Sequence, residues 1–278
     1  IGGGTAGLEA ACTAAEVGCN TFLLEKGNEL GGLASLISKI PAKNRLADFP
    51  HYLMHRAEQL DNLYIFKNTE GTPENIRKFH PNIIVSSTGS APLLPPIAGL
   101  KDRIDNENHN IYSILGMISH INDFPKDLEG KKVVVVGGGA VGLDVVEFFA
   151  DRNADISIVE MMDQIGRDLD PVSKNDTKTM MKKHNVHQLT KTALLEVKDS
   201  SFLVRGDGEP YELPFEYGFV CLGMRANAPI WNDIQEAFTG EDVEVLNIGD
   251  SVRARRIIDG TDAGRHMVLN TLERLNYL

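Results

Sequence analysis

The sequence predicts an α/β protein built from two tandem βαβ units, and three observations carry that reading. A glycine-rich turn of the form Gly-x-Gly-x-x-Gly occurs twice, at Gly2, Gly4 and Gly7 and again at Gly137, Gly139 and Gly142. Each copy is followed by an acid that closes the next strand, Glu25 and Glu160, both 18 positions after the third glycine. Each copy also has a late apolar strand ending in a small turn, "SSTG" at 86–89 and "CLG" at 221–223. One such glycine turn is weak evidence by itself. Two copies at matching places, each with its acid, are much stronger.

The elements follow in order. Residues 1–19 read as a turn feeding a helix, with Leu8, Ala11, Cys12 and Ala15 spaced for one buried face. "NTFLLE" (20–25) reads as a strand, and the Gly-rich stretch 26–45 as a loop. A helix is expected over 46–60, a short strand over 62–67, a helix from Pro73 and a buried strand in "NIIVSSTGS" (82–90). "APLLPPIAG" has three prolines in nine residues, which suits neither helix nor central sheet, and reads as a linker. The rhythm then restarts: strand 131–136, helix 140–152, strand 155–160, helix 172–185 and a strand near 186–189. Antiparallel-looking pieces follow at 193–197, 201–205 and 210–214, then strands at 219–224 and 243–250 and a helix over 256–277.

Composition sets the bounds. The chain has 278 residues, enough for about two domains. Hydrophobic residues make up 42% and charged residues 24%, as in a protein with real cores. No apolar run approaches the roughly 20 residues of a membrane span, and no signal peptide is visible, so no membrane partner is expected. A formal net charge of -11 argues against nucleic acid, which needs a basic surface. Cys12, Cys19 and Cys221 form no CxxC, and the eight histidines form no HxH or HExxH, so no metal site is expected. Unpaired thiols suit a reducing cytoplasm.

The glycines have distinct duties. The first permits a tight turn after a strand, the second lets a pyrophosphate approach the backbone, and the third lets helix and strand pack closely. The helix N-terminus behind them, Thr5 and Ala6 in one copy and Ala140 and Val141 in the other, offers unpaired N–H groups to an anion. Glu25 and Glu160 can each accept hydrogen bonds from a ribose 2′-hydroxyl, and a carboxylate there repels a 2′-phosphate. No Arg or Lys follows Glu160 until Arg167. A nicotinamide cofactor in the second unit is therefore expected to be NADH. The alternative is a pair of glycine turns without ligand.

Together these motifs resemble the glutathione-reductase-like flavoproteins, with two tandem Rossmann-like dinucleotide-binding domains. "LGG" (30–32) resembles the loop beside a flavin pyrophosphate, and "NIGD" (247–250) the late motif whose aspartate meets the ribityl chain. Within that group, "IVEMMDQIGRDLDP" (158–171), "LGMRAN" (222–227) and "IGDSVRARRIIDGTDAGRHM" (248–267) resemble the C-terminal region of the NADH:flavin oxidoreductases, such as enoate reductase, 2,4-dienoyl-CoA reductase and trimethylamine dehydrogenase. The resemblance implies FAD in residues 1–105 and 236–278, and NADH in 106–235. It implies FAD contacts from Gly2, Gly4, Thr5, Ala6, Gly7, Glu25, Lys26, Gly32, Leu33, Arg45, Thr88, Gly89, Gly249, Asp250 and Arg256. For NADH it implies Gly137, Gly139, Ala140, Val141, Gly142, Glu160 and Gly223. It also implies a strand ahead of Gly2, here cut to Ile1, and upstream of it a barrel holding FMN and a 4Fe-4S cluster. Three departures stand out: Gly71 in "NTEG" where valine is usual, "STG" for "ATG", and "DGTDAG" after the late motif.

The chemistry so implied is hydride transfer from NADH to FAD, with no protein general acid needed and no catalytic residue named. A CxxxxC after "LGG" is absent, which argues against a disulfide reductase. Two alternatives stay open: a non-catalytic module that holds ADP, and a stand-alone NADH-dependent ferredoxin or rubredoxin reductase. The oligomeric state, homo-oligomer included, is not set by the sequence.

Overall fold

Behind the first glycine turn the chain enters helix α1 (Thr5–Glu16), and the face expected to be buried is buried: Leu8, Ala11, Cys12 and Ala15 pack with Leu23, Leu53 and Leu63. This is a computed structural model, and it describes residues 1–167 and 169–277. Strand β1 (Thr21–Leu24) is followed by helix α2 (Gly32–Ile37), a 3-10 stretch (Pro41–Ala47) and helix α3 (Asp48–Glu58). The stretch 26–45 is therefore not all loop. Gly31 and Gly32, at φ 95° and 57°, make the turn, and "GLASLI" behind them is free to coil. Strand β2 (Leu63–Phe66) pairs in parallel with β1. Helix α4 (Pro73–Arg77) is capped by the Thr72 hydroxyl, which accepts the Asn75 N–H at 3.2 Å. Strands β3 (Ile83–Ser86) and β4 (Ser90–Pro92) close this segment.

The middle of the chain holds α5 (Leu100–Arg103), β5 (Ile111–Tyr112), α6 (Ile114–Ser119), β6 (Lys132–Val136), α7 (Ala140–Ala150), β7 (Asp155–Val159), α8 (Pro171–Lys183) and β8 (His187–Leu189). Strands β9 (Ala193–Val197), β10 (Ser201–Arg205), β11 (Tyr211–Pro214) and β12 (Tyr217–Val220) complete it. Five strands form a parallel sheet in the order β5-β12-β6-β7-β8, while β9, β10 and β11 form an antiparallel one, as their short alternating pattern suggests. Val133 to Val136 of β6 are at most 3% exposed, the burial of a central parallel strand covered on both faces.

The return segment brings β13 (Met224–Ala226), α9 (Ala228–Ala237), β14 (Glu244–Asn247), a 3-10 turn (Gly249–Ser251) and α10 (Ile257–Arg274). Helix α9 was not anticipated from the sequence, although Ile230, Ile234 and Phe238 repeat every fourth residue. They pack with Ile76 and Ile84. Strand β14 pairs in parallel with β3, and β13 is hydrogen-bonded to β4.

The chain divides into two units: Ile1–Lys39, Lys43–Ala91 and Met224–Leu278 form one, and Ile40–Ala42 with Pro92–Gly223 the other. The divisions at Ala91 and Gly223 lie ahead of the expected 105 and 235. The chain leaves each sheet at its "TG" or "LG" turn, and α9 packs within the first unit.

Two seams hold the first unit's helices. A Cβ on Gly264 of α10 would lie 2.7 Å from the Ala6 carbonyl oxygen and 3.3 Å from the Ala10 nitrogen. Gly264 is thus a close-packing device between α1 and α10. Gly264→Val should lower the melting temperature by about 5 °C or more, read by calorimetry, since overpacking costs about 1–3 kcal/mol. At the second seam, Arg56 donates to Glu9 at 2.7 Å and to both oxygens of Glu16 at 2.6 and 2.7 Å. Its hydrogen bonds hold the Glu16 carboxyl below the usual carboxylate range. A depressed carboxyl stabilises the fold above its unfolded pKa, and that stabilisation fades as pH falls through the folded value. Arg56→Ala, which leaves Glu9 buried with Arg265 at 3.7 Å, should lower the melting temperature at pH 7 by about 10 °C. That difference should shrink below about pH 4.

Candidate nucleotide-binding sites

Each unit builds the same local structure from the same residues. In the first, Gly2 sits at φ 96° and a Cβ there would lie 2.5 Å from the Ser87 carbonyl oxygen. In the second, Gly137 sits at φ 107° and a Cβ would collide with the Cys221 carbonyl oxygen. No other residue fits either place. The third glycine is pinned to the first: a Cβ on Gly7 would collide with the Gly2 carbonyl oxygen, and one on Gly142 with that of Gly137. The middle glycines differ in kind. Gly139 has nothing within 4 Å of a built Cβ, and Gly4 only the Gly32 Cα at 3.9 Å. They leave open space in front of the backbone.

Gly4 and Gly139 are also the N-caps of α1 and α7, and neither helix has a side-chain cap. The first intrahelical bonds are Leu8 N–H to Gly4 and Leu143 N–H to Gly139, so the N–H groups of Thr5, Ala6, Ala140 and Val141 have no intrahelical acceptor. Two uncapped helix ends, each behind an open glycine, fit an anionic diphosphate.

The acids stand where the strand spacing puts them, and each is held by two backbone donors. Glu25 accepts the N–H groups of Gly3 and Gly27, both at 2.7 Å. Glu160 accepts those of Gly138 at 2.7 Å and Met162 at 2.8 Å. One acid therefore ties the glycine turn to the chain beyond the strand, with lone pairs left for a sugar hydroxyl. The repeat runs further than the sequence reading took it. Gly31 N–H donates to Gly3 O at 2.7 Å, and Gly166 N–H to Gly138 O at 2.8 Å. Gly31 and Gly166 each lie six residues past their acid, a matching interval visible in the sequence. Lys26 is exposed next to Glu25.

Around the first unit's turn the late motifs gather. Gly249, at φ 66°, lies against Ala6, where a Cβ would be 2.9 Å from the Ala6 Cβ. Asp250 accepts the Ser90 hydroxyl at 3.1 Å and the Arg255 N–H at 3.1 Å. It does not cap α10, whose N-cap is Arg256, six residues on. Arg256 is paired with Asp259 at 3.2 Å and Arg45 with Asp48 at 2.6 Å, both at the surface. Gly32 opposes Gly4, its built Cβ 2.9 Å from the Gly4 Cα, and Leu33 follows in α2. The Thr88 and Gly89 carbonyls accept from the Asn227 side chain at 2.8 Å and backbone at 3.1 Å, and the buried Thr88 hydroxyl has no hydrogen-bond partner among the described residues. Ser90 has no sequence signal of its own, while Asn227 closes the "LGMRAN" motif. A Cβ on Gly71 would collide with the Ile1 side chain. In the second unit Gly223 is open, at φ 104°.

Two glycine turns, two uncapped helices and two pinned glutamates define a protein with two nucleotide-cofactor sites. The chain belongs to the pyridine nucleotide-disulphide oxidoreductase family, which it matches over residues 1–243. It is 28% identical over 265 residues to an NADH oxidase of Thermoanaerobacter brockii, covering 95% of this chain and 39% of that protein. It is 28% identical over 251 residues to a bilirubin reductase of Mediterraneibacter gnavus (strain CC55_001C), covering 90% and 36%. In fold it is similar to a 2-naphthoyl-CoA reductase, with a TM-score of 0.81, 24% identity, and 96% and 38% of the two chains covered. The chain thus spans about two fifths of the length of these relatives. The expected fold and family resemblance are borne out.

Proposed function

We propose that this chain is an NADH:flavin oxidoreductase module, holding FAD in the first unit and NADH in the second, within a larger enoate-reductase-like enzyme. The observation that carries this reading is the duplicated turn: an open glycine, a bare helix end and a carboxylate fixed by two backbone N–H groups, once per unit. The bound groups supply hydride transfer from NADH to FAD. The chain's own residues bind and orient. The Thr5–Ala6 and Ala140–Val141 amides take diphosphates, Glu25 and Glu160 take ribose hydroxyls, and Asp250, steadied by Ser90, takes a ribityl hydroxyl. Glu160, followed in sequence by no Arg or Lys until Arg167, favours NADH over NADPH.

The route for electrons leaving this module does not run through thiols. Burial pushes the Cys12 thiol up to about 11 and the Cys221 thiol up to about 12, so neither ionises near neutral pH. The share of the relatives that lies outside this chain supports an upstream domain, with FMN and an iron–sulfur cluster as its cofactors, and a cytoplasmic setting suits the unpaired thiols.

The test is optical. Purified protein should absorb near 450 nm as bound flavin does, and bleach when NADH is added without oxygen. A colourless protein that releases ADP on denaturation would replace this reading with a purely structural nucleotide site. Asp250→Ala should lower flavin retention about tenfold, measured as the flavin-to-protein ratio after gel filtration, while NADH affinity stays unchanged.

A further inference from the structure

In both units a further frame of hydrogen bonds surrounds the acid, and backbone groups close it. The Glu160 carboxylate accepts the Met162 N–H at 2.8 Å, the Met162 carbonyl accepts the Lys191 N–H at 2.8 Å, and the Glu160 carbonyl accepts the Thr192 N–H at 2.9 Å. In the first unit the Glu25 carboxylate accepts the Gly27 N–H at 2.7 Å, the Gly27 carbonyl accepts the Asn68 N–H at 2.9 Å, and the Glu25 carbonyl accepts the Thr69 N–H at 2.9 Å. Lys191 and Asn68 share a left-handed backbone, at φ 51° and 52°. Glycine serves in this frame at position 27, so the frame itself asks for no side chain at position 162. The second unit nevertheless places two consecutive methionines there, Met161 and Met162, 68% and 40% exposed. The Met162 nitrogen lies 2.8 Å from a Glu160 carboxylate oxygen, so its Cα lies within about 4.3 Å of that oxygen.

An exposed thioether is open to peroxide. Its sulfur attacks one peroxide oxygen, the O–O bond breaks, the sulfur gives up two electrons to become a sulfoxide, and the second oxygen leaves as water. No ionisation is needed, whereas a thiol reacts as its thiolate. Burial raises the pKa of Cys12, Cys19 and Cys221, so the thiols compete poorly near neutral pH. Met117 and Met181, 0% and 4% exposed, are shielded. A sulfoxide at position 162 replaces a flexible apolar group by a bulkier one whose oxygen is partly negative. It would do so beside the carboxylate that is to accept a ribose hydroxyl.

We propose that Met162 is a peroxide-sensitive modification site: oxidation of its thioether by hydrogen peroxide weakens nucleotide binding in the second unit, and reduction of the sulfoxide restores it. This role rests on the second unit being an NADH site. Glu25 is followed by Lys26 and Gly27, which offer peroxide no sulfur, so the first unit keeps its cofactor. The pair of sites then behaves as a brake. Hydride entry falls where peroxide accumulates, while the flavin stays bound and ready for recovery.

The experiment treats flavin-loaded protein with hydrogen peroxide near neutral pH and titrates it with ADP-ribose by calorimetry before and after. ADP-ribose has the adenosine ribose and diphosphate of NADH but no hydride to give. Tandem mass spectrometry should find about 16 Da added at Met162, and the treated protein should bind ADP-ribose about tenfold more weakly. Methionine sulfoxide reductases A and B should restore binding, and the flavin-to-protein ratio should stay constant throughout. Treated is compared with untreated protein for each variant: Met162→Leu should show no loss on treatment, and Met161→Leu the full loss. Unchanged affinity with sulfoxide present at Met162, an equal loss in Met162→Leu, or oxidation of Met161 with Met162 left reduced would overturn the proposal. Should Met162→Leu not fold, the reductase arm decides: binding that recovers in step with loss of the added mass at Met162 supports the proposal, and recovery without it overturns it. Untreated protein that does not bind ADP-ribose would remove the NADH site itself, and the switch with it.

Discussion

Gly142→Ala is expected to weaken NADH binding about 100-fold while leaving flavin in place. The new methyl group would enter the Gly137 carbonyl oxygen, and Gly137 cannot yield, because its own α-carbon lies under the Cys221 carbonyl at φ 107°. Helix α7 must therefore shift away from the turn, taking the Ala140 and Val141 amides with it. Displacing a tightly packed backbone costs about 1–3 kcal/mol, and the same displacement spoils the diphosphate seat. Titration calorimetry with NADH reads the loss, and the flavin-to-protein ratio reads the untouched unit. The mirror substitution, Gly7→Ala, should lose flavin and keep NADH. If both variants lost both cofactors equally, the assignment of one cofactor to each unit would be wrong.

Glu160→Gln should lower kcat/KM for NADH about tenfold and narrow the preference over NADPH. The carboxylate accepts two backbone N–H groups. Glutamine keeps one acceptor and turns an NH2 toward the other donor, so either Gly138 or Met162 faces a donor. Hydrogen bonds to a charged group contribute about 1.5–3 kcal/mol, and the negative charge that repels a 2′-phosphate is lost with them. The ratio of kcat/KM values for the two nucleotides is the readout. An unchanged ratio would show that Glu160 only shapes the turn and does not select the ribose.

Legibility followed the chemistry of single residues. Gly2, Gly7, Gly137 and Gly142 could be read from the sequence because their steric demands admit no other residue, and Glu25 and Glu160 because strand length fixes how far an acid lies from its turn. Helix α9 went unread because Pro229 and a short run between two turns masked its four-residue repeat. Helix α2 hid behind two glycines that look like loop composition until their left-handed geometry is seen. Ser90 lies 160 residues from Asp250, and Asn227 139 residues from Thr88; such pairings are made by the return of the chain, not by any local pattern. The "DGTDAG" and "NTEG" departures read as weakened motifs in the sequence. In three dimensions Gly71 makes room for Ile1, while the close approach of α1 is made at Gly264, the last residue of "DGTDAG".

The two glutamates fasten their glycine turns to the chain beyond the next strand. Gly3, Gly27, Gly138 and Met162 are tied down by these carboxylates, so on the proposed function nucleotide capture is expected to lose little chain entropy. Selection between cofactors then rests on shape and charge already in place, as in a rigid receptor, and not on a loop that folds around whichever molecule comes first.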